Sequence, residues 1–149
     1  MIPFEDLIRE LGEKIGTPLH VDPHQSCLLE FSPFLHVQID LDSSADKILL
    51  GTQLGNLLPG PYRENILRLG MIVNGMMKIH QGIVAYSEKN DSLVLFAYLP
   101  IATTTADILF DFLAEFLEHA HIWEEALRRG EIPKIEEETK SSGFFGLKK

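Results

Sequence analysis

Apolar residues recur at two different periods along this chain, and the switches between them mark out helices and strands. In residues 3–16, Phe4, Leu7, Ile8, Leu11 and Ile15 fall on one stripe at helical spacing. Pro3 suits a first turn, and Glu5 and Asp6 complement the positive end of the helix dipole. Gly16 and Pro18 mark the stop. Residues 27–31 (CLLEF) form a short apolar run. In residues 34–42, Leu35, Val37, Ile39 and Leu41 alternate with His36, Gln38, Asp40 and Asp42, the pattern of a strand with one wet face. A third strand is expected over residues 47–54, after the turn-like DSSAD.

Pro59, Gly60 and Pro61 then break the chain. From Tyr62 to about His80 the helical period returns, with Tyr62, Ile66, Leu69, Val73, Met76 and Met77 on one face. Gly70 and Gly75 inside this helix each cost roughly 1 kcal/mol relative to Ala, and close approach of another backbone would offset that. Residues 83–86 (IVAY) and 93–99 (LVLFAYL) read as a hairpin around EKNDS. Its second strand is apolar on both faces: Leu93, Leu95, Ala97 and Leu99 on one, Val94, Phe96 and Tyr98 on the other. Two dry faces need two covers, and this chain's own helices supply only one.

The last helix is expected to start near Thr104, a good cap with Asp107 three residues on. Ile108, Phe112, Phe116, Ala120, Trp123 and Leu127 form its main stripe, widened by Leu109, Leu113 and Leu117. Gly130 and Pro133 end it. The order α-β-β-β-α-β-β-α, with runs of strands and no strict βα alternation, predicts an α+β fold: a twisted antiparallel sheet packed by helices. One domain is expected over residues 1–130, followed by a polar, mobile tail over 131–149.

Composition narrows the function. The chain has 149 residues, 45% of them apolar, enough for one folded domain with a real core. Asp and Glu number 22 against 13 Lys and Arg, and the resulting net charge of −9 disfavours nucleic acid. It also keeps a molecule with open apolar patches soluble. Cys27 is the only cysteine, so no internal disulfide forms, which fits a reducing compartment. The opening MIPFEDLIREL lacks the basic and continuous apolar parts of a signal peptide. No apolar run approaches the ~18–20 residues that span a bilayer. A cytoplasmic protein without membrane insertion is expected.

Catalytic chemistry has little to stand on. Phosphate-binding glycine loops, paired-cysteine motifs, nucleophile elbows and helical zinc motifs are all missing. His20, Asp22 and His24 sit in a loop broken by Pro23, where a polar turn is a better reading than a metal site. His119 and His121 face apart on a helix. His36 lies on a polar strand face, and His80 suits a helix end. Cys27 has neither a helix start nor a basic cluster to activate it, and reads as a small buried hydrophobe. Asp40 and Asp42 share a wet strand face, the Glu136–Glu138 run is solvated, and Trp123 with Phe112 and Phe116 reads as core. No enzyme activity, metal or cofactor is expected. What is left over is apolar surface, more than a domain this small easily buries, and such surface implies partners.

Specific stretches resemble a known family. GTPLHVDPHQSCLLEF after the opening helix, VQIDLD, ILLGTQLGNLLPG, LRLGMIVNGMM, GIVAYSEKNDSLVLFAYLPI and FLAEFLEHAHIWEEAL resemble, in order, the elements of the class I type III secretion chaperones, the Tir chaperone-like proteins. Asn74 stands near a position where the family often has Ala-Asn. The likeness covers residues 1 to about 130; the tail, with Phe144 and Phe145, exceeds it. It implies a bacterial homodimer joined largely through the middle helix, at Ile66, Leu69, Gly70, Val73, Met76 and Met77, and through an adjacent strand. It also implies that an effector's N-terminal segment wraps the dimer in extended form, touching helix 1 at Phe4, Leu7, Ile8 and Leu11 and the sheet at Leu28, Leu35, Val94 and Phe96. An export ATPase would release the effector. The competing expectation is an adaptor of the same fold that works outside secretion.

Overall fold

The computed structural model describes residues 3–42, 44, 46–76 and 82–135. The expected order is observed. Helix α1 (Phe4–Ile15) leads into a meander of β1 (Ser26–Ser32), β2 (Leu35–Asp42) and β3 (Lys47–Asn56). Helix α2 (Pro61–Asn74), a hairpin of β4 (Ile83–Ser87) and β5 (Ser92–Pro100), and helix α3 (Ala106–Arg129) follow.

The strands form one antiparallel sheet in the order β1-β2-β3-β5-β4. Register follows the alternation: Cys27 pairs with Ile39, Ile39 with Leu50, and Leu50 with Ala97. This puts Cys27, Leu29, Val37, Ile39, Ile48, Leu50, Leu95 and Leu99 on one buried face. Helix α3 covers it, packing on β3 and β2, and α1 packs in turn on α3. Phe116 and Trp123 of α3 are the largest fully buried side chains. Each fully buried Leu or Ile there contributes roughly 1.5–3 kcal/mol.

Helix ends follow local chemistry, with adjustments. α1 stops at Gly16, whose φ of 89° is left-handed, and whose N–H reaches the Gly12 carbonyl at 2.8 Å. The chain then folds back so tightly over Gly12 that a Cβ there would lie 2.7 Å from the Thr17 oxygen. The α3 cap is Thr105, not Thr104: its Oγ1 accepts the Ile108 N–H at 3.2 Å. Thr104 instead donates to the Pro100 carbonyl at 2.6 Å, holding the short turn Ile101–Thr103. The buried stripe of α3 is also rotated from the expected one. Leu109, Leu113, Phe116, Leu117, Ala120 and Trp123 point inward, while Ile108 is exposed. The helix lies between the sheet and α1, so its buried arc is centred on the flank both can reach.

The α2 helix ends at Asn74, and the expected continuation over 77–81 lies outside the described residues. Asn74 caps the sheet sideways. Its Nδ2 donates to the Val84 carbonyl at 2.8 Å, and its Oδ1 accepts the Val84 N–H at 2.9 Å. Beyond α3, Tyr62 Oη donates to the Glu131 carbonyl at 2.7 Å, Pro133 is buried, and Ile135 packs on the core. Residues 136–149 of the expected tail lie outside the described residues.

Candidate functional site

Among the described residues, edge strand β1 pairs only with β2, so one side of its backbone has no strand partner there. A groove of about 1,210 Å³ runs between that edge and the flank of α3. Its floor is Leu19, Leu29, Leu113 and Leu117, with Phe31 and Phe110 exposed along its walls. Phe31 is 53% exposed and Leu28, at the groove's margin, 60%. Glu30, Glu115, Glu118 and His121 line it with charge and polarity. The β1 pairing shifts register between Glu30 and Ser32, beside Phe31 in the groove wall.

The second surface is the open face of the sheet. Leu28, Gln38, Gly51, Phe96 and Ile83 form one row across the strands, and Asp40, Leu49 and Tyr98 the next. These rows floor a trough of about 830 Å³. Gly51 at its centre has no atom within 4 Å of where a Cβ would stand, so the glycine deepens it. Phe96 and Tyr98 meet edge to face at 5.8 Å, and Lys47 Nζ sits 5.0 Å above the Tyr98 ring. Ser26, Gln38 and Asp40 hydrogen-bond to one another at its margin. At the other end Arg128 stacks 4.2 Å from the Phe34 ring while its Nε donates to the buried Glu124 at 2.8 Å. Leu28 lines both the groove and the trough, so the two surfaces join around β1.

The predicted site residues divide cleanly. Leu28, Val94 and Phe96 line the trough. Phe4, Leu7, Ile8, Leu11 and Leu35 do not reach the surface: all are core, because the α1 stripe is the face it turns toward α3. These α1 residues bear on the groove only through the α3 they pack against. On α2, Ile66, Gly70 and Val73 are likewise turned inward. The close approach expected at Gly70 is to the chain's own β4, where a Cβ would meet Val84 Cγ1 at 3.2 Å, and Gly75 shows no tight neighbour. Leu69 and Met76 are half-buried, and Met77 lies outside the described residues. The outward face of α2 carries Met71 and Ile72 instead, 77% and 52% exposed. Phe31, Phe34, Phe110, Met71 and Ile72 are thus the surface residues that periodicity missed. An exposed aromatic in an apolar run has the same pattern as a buried one.

Candidate chemistry is quiet. Asp22 Oδ1 accepts the backbone N–H groups of His24 and Ser26, at 2.8 and 3.0 Å, which accounts for the polar loop. No group of potential metal ligands occurs among the described residues. Burial pushes the Cys27 thiol up, away from the reactive thiolate. Burial lowers the His119 imidazole to about 4, and its ring stands edge-on to Trp123 at 6.2 Å within the core. No described helix is long and apolar enough to cross a membrane.

The fold recurs in solved structures. A chain of the ExsC–ExsE complex matches with a TM-score of 0.68 at 20% identity, covering 83% of this chain and 92% of that one. A chain of the HopA1–SchA chaperone–effector complex matches at 0.66 and 18%, covering 83% and 94%. The type III secretion chaperone SycH of Yersinia pestis, solved with a fragment of YscM2, gives a match at 0.62 and 15%, covering 80% and 98%. No curated protein matches the sequence significantly. A family model matches residues 6–124, four-fifths of the length. On that match the chain belongs to the Tir chaperone protein (CesT) family.

Proposed function

We propose that this chain is a type III secretion chaperone that holds an extended N-terminal segment of a secreted effector and keeps it competent for export. The observation that carries this is the apolar groove beside an unpaired strand edge, continuous through Leu28 with the apolar trough. A free edge offers backbone hydrogen bonds to any sequence, while the pockets beside it take alternate apolar side chains. An unfolded segment suits such a site because it has strand edges and side chains to give. Ordering it costs roughly 1–2 kcal/mol per residue, so a large contact yields moderate affinity and an export ATPase can strip the effector away. The family is one of chaperones, and the work described needs no bond making, metal or cofactor. The site is read as acting in the bacterial cytoplasm, in a homodimer joined by the outer face of α2.

Co-expression with effector N-terminal segments, followed by sizing of the complex, tests the reading. Phe31→Asp and Phe110→Asp should each weaken capture at least tenfold with the thermal transition unchanged. Normal capture by both folded variants would remove the groove from the mechanism. An adaptor outside secretion would bind folded partners and ignore unfolded effector segments.

A further inference from the structure

We propose that residues 139–149 of this chain dock into its own groove between β1 and α3 when no partner segment is present, so that the chaperone carries an internal competitor. This rests on reading the groove as a receptor for extended segments. The segment reads TKSSGFFGLKK: Phe144, Phe145 and Leu147 lie close together, with Lys140, Lys148 and Lys149 around them and no acidic residue. Such a basic, apolar stretch is unlike the rest of a chain whose net charge is −9. The groove has the complementary character, an apolar floor with Glu30, Glu115 and Glu118 along it.

Reach permits the docking. Arg128 stacks on Phe34, which places the end of α3 beside the β1–β2 turn, about 10 Å of helix beyond His121, the last α3 residue of the groove. From Arg129 back to Leu117, in the groove floor, is about 18 Å of helix. From Ile135, which is anchored on the core, an extended chain to Phe144 spans up to about 30 Å. The tether raises the local concentration of the segment to the millimolar range. Weak intrinsic affinity therefore suffices to cover Phe31 and Phe110. An effector segment that spans both groove and trough makes contacts the tail cannot, and displaces it.

The test needs no effector. A photo-cross-linking phenylalanine placed at position 145 of the full chain should attach to peptides containing Phe31 or Phe110. Attachment elsewhere, or none, overturns the proposal. Cross-links joining isotopically light and heavy copies in a mixed sample would overturn docking within one chain. In a second measurement, a synthetic peptide of residues 139–149 is titrated into the parent and into the full-length Phe144→Asp/Phe145→Asp variant. The variant, its groove vacated, should bind the peptide at least tenfold more tightly; equal affinity overturns the proposal. Should these fail while Phe31→Asp still abolishes effector capture, the receptor reading stands without the competitor.

Discussion

Leu7 and Leu28 both sit in apolar patterns, yet one is fully buried and the other 60% exposed. Periodicity says which residues share a face, and only the packing of α1 on α3 decides which face is covered. Gly12 stands in a helix stripe as an ordinary residue, and only the return of Thr17 over it shows why a side chain is excluded. Helical spacing turns His119 away from His121 and says nothing of its burial. In the structure it is 3% exposed, and its Nε2 has no hydrogen-bond partner among the described residues. Burial holds it neutral to about pH 4, against an ordinary value of 6.5. Between those limits the unfolded chain binds the extra proton, so stability rises with pH in that window and falls as pH drops from 6.5 toward 4. The loss by pH 4 is on the order of 2–3 kcal/mol. His119→Leu should flatten that part of the profile relative to the parent, measured by urea unfolding at a series of pH values. A parallel profile would show that the imidazole does not contribute.

At the scale of elements, alternation and helical spacing located every helix and strand of the described chain. The strand registers followed from which residues had to share the dry face. Two dry faces on β5 were legible as a demand for a second cover, and the trough is where that demand is left open. Helix phase was harder, since an amphipathic arc can be rotated by one position without changing its composition. That rotation moves the interface reading of α2 outward, from Ile66 and Val73 to Met71 and Ile72. If the proposed dimer forms through this face, Ile72→Asp should yield monomer with the fold retained, as read by light scattering and circular dichroism. Val73→Asp should instead unfold the chain, because it places a charge in the core. An Ile72→Asp dimer of unchanged mass would put self-association elsewhere.

Over the whole molecule, groove and trough join around β1 at Leu28, and the proposed function uses them as one path. Leu28 and Phe96 lie three strand spacings apart, about 14 Å, far enough for independent effects. Phe31→Asp and Phe96→Asp should each cost about tenfold in effector affinity, and together about a hundredfold, by titration calorimetry. A double variant no weaker than either single one would mean that a segment uses only one of the two surfaces. The opposite edge of the sheet has a different fate. Asn74 takes both outward backbone groups of Val84, as a neighbouring strand would. The sheet can therefore grow from β1 but not from Val84's side of β4. Edge-to-edge queuing of copies into a ribbon would need both edges open, and the block at Val84 interrupts one of them. A molecule proposed to present bare strand edge to unfolded chains has in Asn74 one guard against seeding its own fibre.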